Sequence, residues 1–274
     1  EINRMGTAPE LWLQADYLRG KVKGKKLVIF LNAFSLTAQE RGTVTDHLQR
    51  DGATALWFYA PGVLAPDADS PGDAYGARHI SELTGIHVVE RDGDRSPAMR
   101  CTRDHPFCAN LPDRMLVEPD DIIANWGERD EKFQFRQMTY PPRKKLRPLF
   151  AVQDPDADVF GHYADTGEAA MAARETAGAC HVFVGGLTLP AQVLANIARE
   201  ASVHLYCEAG DVLYTDGHAL SITACTAGRK SISLPASSTV SDALTGELIT
   251  CGESFTVELR FGETRVFRLG SSAM

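Results

Sequence analysis

The fold prediction depends first on residues 26–40, which read KLVIFLNAFSLTAQE. Leu27 to Leu31 form a continuous apolar run, as in a parallel strand that is covered on both faces. Thr37 and Glu40 follow with the spacing of a capping box, in which each side chain binds the backbone amide of the other residue. Apolar residues at helical spacing then continue to Gly52, so this stretch predicts a strand, a loop and a helix.

Further strands and helices alternate along the chain. Residues 54–59 predict a second apolar strand, residues 73–84 a helix that Gly85 ends, and residues 86–89 a short strand. The later segments are strands at 149–152, 159–163 and 180–184, an alanine-rich helix capped by Asp165-Thr166-Gly167-Glu168 that ends at Gly178, and a helix at 190–201. Repeated βα units predict an α/β fold, here a flavodoxin-like doubly wound sheet.

The helical signals end near residue 202, and turn residues then separate short strands. The turn pairs are Asp216-Gly217, Ala227-Gly228, Thr245-Gly246 and Phe261-Gly262. The predicted strands are Val203–Cys207, Asp211–Tyr214, Ala219–Thr223, Lys230–Leu234, Ser238–Ser241, Ser254–Leu259 and Thr264–Leu269. The pattern predicts an α/β domain over residues 1–202, with a charged insertion at 91–147, and a small all-β, sandwich-like module over residues 203–274.

The first residues have the pattern of a helix end. Glu1 to Arg4 read as a last helical turn, and Gly6 stands just past it. No strand precedes this turn, so we expect the α/β domain to lack its first strand and the chain to begin inside a longer polypeptide.

Composition restricts the possible partners. The chain has 28 Lys and Arg against 36 Asp and Glu, a formal net charge of −8, and a sequence pI of about 5.5. This balance argues against nucleic acid as a partner, and the apolar runs are too short to span a membrane. The six cysteines are scattered and read as buried free thiols, which leaves a cytoplasmic or an exported location open.

The predicted strand ends carry little chemistry. The turn in the position of a hydrolase nucleophile elbow reads Tyr59-Ala60-Pro61-Gly62 and contains no serine or cysteine. No dinucleotide-binding or phosphate-binding glycine motif follows a strand, and no histidine or cysteine spacing is that of a metal site. We therefore expect no catalytic residue, no cofactor and no metal.

Aromatic and acidic residues remain as candidates. Tyr59 at a strand end, and Trp126 and Tyr140 in the insertion, are candidates to stack on a sugar or to pack against a neighbouring subunit. Paired acids, which a glycosidase or a calcium loop requires, occur at Asp120-Asp121 and at Asp154, Asp156 and Asp158. Sequence spacing does not give the distance between these carboxylates.

Two sets of segments resemble a known family. The first set is similar to the amidotransferase-like, or trimerisation, domain of family-42-type β-galactosidases and related bacterial glycoside hydrolase-like proteins: Lys26–Phe34, Ala55–Gly62 and Ile80–Ile86. The second set is similar to the β-module that follows that domain: Val203–Tyr206, Asp211–Tyr214, Ser231–Pro235 and Gly262–Phe267.

The resemblance implies a non-catalytic role. In that family the catalytic carboxylates lie on an N-terminal (β/α)₈ barrel, a fold of about 250 residues. The resemblance thus implies a homo-oligomer, or docking against a barrel of the same polypeptide or a neighbouring subunit, where the chain lines the substrate cleft. Two alternatives stay open: a stand-alone carbohydrate-active hydrolase that uses carboxylates of the insertion, and a carbohydrate-binding module.

Overall fold

The computed structural model describes residues 1–93, 95–102, 104–111, 116–117, 145–176 and 178–271. The chain divides into two compact units, a larger one of Trp12–Leu189 and a smaller one that joins Glu1–Leu11 to Pro190–Met274. The predicted domains, 1–202 and 203–274, stay a prediction.

The larger unit contains three α-helices and nine strands within the described residues. The helices are α1 (Gln14–Leu18), α2 (Ala38–Asp51) and α3 (Ala77–Thr84). The strands are β1 (Leu27–Phe30), β2 (Thr54–Phe58), β3 (Val88–Arg91), β4 (Met99–Cys101), β5 (Leu116–Val117), β6 (Leu149–Val152), β7 (Asp158–Tyr163), β8 (Ala169–Thr176) and β9 (Ala179–Val184). One sheet has the order β1-β2-β9-β8-β7-β4-β5, and β3 pairs with β6 in a second sheet.

The first predicted strand-loop-helix unit is confirmed. Thr37 Oγ1 accepts a hydrogen bond from the Glu40 N–H at 3.1 Å, and Glu40 Oε2 accepts from the Thr37 N–H at 2.8 Å. Gly52 ends α2 with a left-handed φ of 58°. These groups satisfy backbone atoms that a helix leaves unpaired at its ends, which explains why a local motif fixes both bounds of α2.

The structure contains only part of the predicted doubly wound parallel sheet. β1, β2 and β9 run parallel, but β8, β7, β4 and β5 are joined by antiparallel pairs. The predicted alanine-rich helix is wrong, because Ala169–Thr176 is strand β8. Residues 165–168 form the β7–β8 turn, across which the Tyr163 N–H donates to Glu168 O at 2.9 Å. Pairing with both neighbouring strands outweighs the helix propensity of alanine here. The described architecture is three sheets with few helices.

The core of the larger unit lies against the parallel strands. Leu48 of α2, Ile80 of α3, and Trp57 and Phe183 of the sheet are fully buried. Phe30 stacks on Trp57 with ring centroids 4.1 Å apart. Each such side chain contributes about 1.5–3 kcal/mol when it leaves water.

The smaller unit contains α4 (Ala191–Glu200) and one five-stranded antiparallel sheet. Its strands are β10 (Val212–Thr215), β11 (Ala219–Thr223), β12 (Gly228–Asp242), β13 (Leu248–Leu259) and β14 (Thr264–Ser271), in the order β10-β11-β14-β12-β13. The turn pairs that the sequence predicts separate these strands. The predicted strands 230–234 and 238–241 are both part of β12, whose pairing with β13 shifts between Ser233 and Ser238, around Pro235.

The amino terminus packs within the smaller unit. A 3₁₀ helix covers Ile2–Arg4, and Gly6 has a φ of 94°. Gly6 O accepts the Tyr206 N–H at 2.7 Å, although the predicted strand 203–207 is not a strand in the structure. A Cβ atom at Gly6 would lie 2.3 Å from Cys207 O, so only glycine permits this approach.

A buried ion pair joins β12 to the residue that precedes β10. Lys230 Nζ lies 2.9 Å from Asp211 Oδ2, and the exposed fractions of the two side chains are 3% and 0%. The Cys225 N–H donates to Asp211 Oδ1 at 2.7 Å, and Lys230 Nζ donates to Thr226 Oγ1 at 2.9 Å. Because both charges have partners, their burial is tolerated, and the pair serves the fold.

Candidate functional site

The parallel strands β1, β2 and β9 end at one edge of the seven-stranded sheet. In α/β sheets, ligands bind beyond this carboxyl edge. Tyr59 directly follows β2 there and has a φ of 64°. This left-handed conformation is costly for an aromatic residue, and such strain is concentrated at functional positions. The strand ends are therefore the first place to search for a site.

The surroundings of Tyr59 offset its strain. Its N–H donates to Val184 O at 2.7 Å, and its hydroxyl donates to Pro148 O at 2.6 Å. Its half-buried ring packs edge-on against Phe34 and Phe150, with centroids 6.3 and 5.5 Å away. The phenol proton is thus engaged within the protein.

Tyr163, Gly185 and Gly186 lie close together at the adjacent strand ends. Tyr163 Oη lies 2.8 Å from Phe150 O and 3.1 Å from Gly185 O, and burial raises the pKa of this phenol, which stays a neutral donor. A Cβ atom at Gly185 would lie 2.1 Å from Tyr163 Oη and 2.8 Å from Phe150 O. A Cβ atom at Gly186 would meet Met99 Cε at 2.5 Å. Neighbouring atoms thus leave no space for even a Cβ atom at Gly185 and Gly186.

Charged residues border this filled edge. Tyr75 is close to Glu90, and burial together with a hydrogen bond to that carboxylate raises the pKa of Tyr75. Arg91 Nε donates to Glu168 Oε1 at 2.6 Å. Each of these two carboxylates is thus paired with a donor of the protein itself.

Four partly exposed apolar side chains lie around the same edge. Leu31 follows β1, Leu187 follows β9, and a bridge of backbone hydrogen bonds joins Leu64 to Ser35 on one side and to Tyr75 on the other. The exposed fractions of Leu31, Leu64, Tyr75 and Leu187 are 48%, 43%, 42% and 44%. We call these four residues the carboxyl-edge surface. Grouped exposed apolar residues are typical of an association surface.

A buried histidine lies within β9. Trp57 Nε1 donates to His181 Nδ1 at 3.3 Å, and the two rings stack with centroids 6.2 Å apart. Burial lowers the pKa of His181 to about 4. The imidazole is 1% exposed, so it is a neutral core acceptor and not a proton carrier for a substrate.

The acidic residues at 154–158 are engaged in the fold. Asp154 Oδ2 accepts from the His87 N–H at 2.8 Å and from Arg174 at 2.6 Å. Asp156 lies 3.4 Å from the same Arg174, and Asp158 lies 3.1 Å from the imidazole of His105. These contacts give the three aspartates a structural role, because each binds a residue from another part of the chain.

The remaining candidates differ in what the structure describes. Trp126, Tyr140 and Asp120-Asp121 lie outside the described residues, so a sugar or interface role for Tyr59, Trp126 and Tyr140 stays a prediction. Sequence reasoning missed Tyr75 and Tyr163, which no local motif marks. No three His, Cys, Asp or Glu side chains of the described chain are grouped to hold a metal ion. In the same residues, no helix is long and apolar enough to cross a membrane.

Comparison with known proteins gives a likeness of fold. No protein-family model matches the sequence, and no curated protein matches it. The structure is similar to a β-galactosidase from Bacillus circulans sp. alkalophilus, with a TM-score of 0.51 and 15% identity, over 91% of this chain and 33% of that enzyme. It is also similar to Gan42B, a GH42 β-galactosidase from G. stearothermophilus, with a TM-score of 0.50 and 13% identity, over 88% of this chain and 31% of that enzyme. This chain therefore spans about one third of the length of the structures it matches.

Proposed function

We propose that this chain is the non-catalytic C-terminal region of a multidomain, β-galactosidase-like glycoside hydrolase. In this proposal its larger unit is a flavodoxin-like, class I amidotransferase-like domain whose carboxyl-edge surface associates with another subunit. The observation that carries the proposal is the likeness to one third of each of two β-galactosidases over about nine tenths of this chain. The parallel strands β1, β2 and β9, with α2 and α3, support the finer assignment of the fold.

The filled strand ends support a role without catalysis. Tyr59 donates its hydroxyl proton to Pro148 O, Tyr163 lies between two carbonyl groups, and Gly185 has no space for a side chain. A catalytic cleft needs room for a substrate and groups with unsatisfied chemistry. The candidate groups here are instead engaged with one another.

The carboxyl-edge surface supports association. A partner that covers its three leucines and Tyr75 removes apolar surface from water, which stabilises a complex by about 25 cal/mol for each Å². In the proposal the partner is a second copy of this chain, and a catalytic barrel of the same polypeptide or of a neighbouring subunit packs beside it.

Light scattering after size-exclusion chromatography tests the association. We expect the purified chain to form a discrete oligomer at high concentration. Leu64→Asp places a charge in the surface and is expected to weaken the oligomer at least tenfold, since an unpaired charge in an interface is costly.

Leu244→Asp is the matched control. Leu244 is 88% exposed in the turn between β12 and β13, outside the carboxyl-edge surface, and its substitution is expected to leave the oligomer unchanged. A strictly monomeric chain at high concentration contradicts the proposed association. Equal effects of the two substitutions place the contact elsewhere and also contradict it.

A further inference from the structure

Two cysteines lie together where β4 ends. Cys101 is the last residue of β4 and pairs with Gly161 of β7. The carbonyl oxygen of Phe160 accepts the Thr102 N–H at 2.8 Å and the Cys108 thiol at 3.3 Å. A single acceptor therefore holds Cys108 beside the residue that follows Cys101, which brings the two cysteines together at the end of β4.

Backbone hydrogen bonds turn residues 105–108 back towards the end of β4. The His105 N–H donates to Thr102 O at 3.3 Å, and the Cys108 N–H donates to His105 O at 2.9 Å. The ring of Phe107 packs edge-on against Phe160 with centroids 5.2 Å apart. These contacts hold the thiols together in the folded chain, although seven positions separate them in the sequence.

The two thiols differ in accessibility and acidity. Cys101 is partly exposed, whereas Cys108 is 4% exposed. Interaction with Cys108 lowers the pKa of the Cys101 thiol, and interaction with Cys101, together with burial, raises the pKa of the Cys108 thiol. An accessible cysteine with thiolate character beside a second thiol is the arrangement of redox-sensitive cysteine pairs.

We propose that Cys101 and Cys108 form a modification site, at which hydrogen peroxide converts the pair into a reversible intramolecular disulfide. The Cys101 thiolate attacks one peroxide oxygen, the O–O bond breaks, and a sulfenic acid and hydroxide form. The hydroxide takes up the proton that Cys101 had released. Cys108 sulfur then attacks the sulfenic sulfur, the S–O bond breaks, and water leaves with the Cys108 proton.

The overall reaction is balanced. Two thiols and one peroxide give one disulfide and two waters, so the thiols lose two electrons and the peroxide gains them. The disulfide links the end of β4 to the residue that follows Phe107, and a dithiol reductant breaks this link. This site is independent of the association proposed for the carboxyl-edge surface.

Peptide mapping of the whole chain tests the proposal. The chain is treated with hydrogen peroxide, its free thiols are alkylated under denaturing conditions, and it is digested with trypsin. Cleavage after Arg100, Arg103 and Arg114 places Cys101 in peptide 101–103 and Cys108 in peptide 104–114. We expect these two peptides as one disulfide-linked species, the loss of two of the six alkylatable thiols, and full recovery after treatment with dithiothreitol.

Variants separate this pair from the other cysteines. Cys251→Ala removes an exposed thiol and is expected to leave the linked species unchanged. Cys108→Ala is expected to abolish that species and to leave a Cys101 sulfenic acid that dimedone traps. In the unsubstituted chain, alkylation of both cysteines after peroxide treatment, over-oxidation of Cys101 without linkage, or a bridge to Cys251 would overturn the proposal.

Discussion

The two halves of the seven-stranded sheet differ in how they accommodate polar groups. In the parallel half, β1, β2 and β9 bury His181 as a neutral acceptor for Trp57, and the uncharged hydroxyl of Tyr59 binds a backbone carbonyl group at the strand ends. In the antiparallel half, Arg174 of β8 pairs with Asp154, and two thiols meet at the end of β4. The difference teaches that parallel strands covered on both faces favour neutral groups, while strands near solvent accept charge.

The largest expected effect is at the filled edge of the parallel half. Gly185→Ala places a Cβ atom 2.1 Å from Tyr163 Oη and 2.8 Å from the Phe150 carbonyl oxygen. We expect the free energy of unfolding to fall by about 4 kcal/mol, because the tyrosine must move and lose its hydrogen bonds. Urea denaturation measures this change.

Gly186→Ala is the matched control for that substitution. Its Cβ atom meets the end of the flexible Met99 side chain at 2.5 Å. We expect a loss below about 1 kcal/mol, since methionine can adopt another rotamer. Equal losses for the two variants would show that Tyr163 does not fill the edge as described.

The neutral histidine of the parallel half predicts a pH dependence. Burial lowers the pKa of His181 from 6.5 to about 4, so the unfolded chain binds more protons between these values. The contribution of His181 is complete above about pH 6.5 and is lost as the pH falls towards 4, by about 3 kcal/mol in total. Denaturation across this range measures the slope. His181→Gln keeps an acceptor for Trp57 and is expected to remove most of the slope; an unchanged slope would assign it to other groups.

The charged pair of the antiparallel half predicts a smaller effect. Arg174→Met removes the cation that lies 2.6 Å from Asp154, whose carboxylate keeps hydrogen bonds from two backbone N–H groups. We expect a loss of about 2 kcal/mol at pH 7. Arg100→Met, at an exposed position of β4, serves as control and is expected to change stability by less than about 0.5 kcal/mol.

The pKa of Asp154 is lowered by its partners, whereas the pKa of His181 is lowered by burial. Burial alone would raise the pKa of Asp154, but hydrogen bonds from the His87 and Asp156 N–H groups and the charge of Arg174 lower it. The Arg174→Met penalty is therefore present above the ordinary carboxyl pKa and shrinks as the pH falls through the lowered value. A penalty that grows in acid would contradict the pairing.

The smallest expected effect is at the helix start of the parallel half. Thr37→Ala removes the oxygen that accepts the Glu40 N–H, and we expect a loss of about 1 kcal/mol. Thr43→Ala, within the same helix, is expected to change stability by less than about 0.5 kcal/mol. Thermal unfolding of both variants measures the difference, and equal values would show that the cap does not stabilise α2.

A shared tripeptide shows how far local sequence predicts this fold. Thr-Gly-Glu occurs at 166–168 and at 245–247, and both copies lie in turns between antiparallel strands. The second was predicted as a turn, because strand-forming residues flank it. The first was predicted as a helix cap, because Ala169 and the alanines that follow favour a helix in isolation. Pairing with β7 and β9 decides this segment, and that information is not local.

The candidate site shows the same limit. Tyr59 was predicted as a candidate because it follows an apolar strand, which is a local feature. The role of Tyr163 depends on Phe150 and Gly185, which are 13 and 22 residues away in the sequence. The proximity of Cys101 and Cys108 depends on Phe160 of another strand. Such contacts follow from the register of strands, which sequence patterns alone do not fix.

Hydrolysis of an aryl β-galactoside by the purified chain is the most direct test of the claim that its strand ends carry no catalysis. The account predicts no release of the aryl group above the rate in buffer, at any pH between 5 and 8. Steady turnover that a single Asp or Glu substitution abolishes would contradict it.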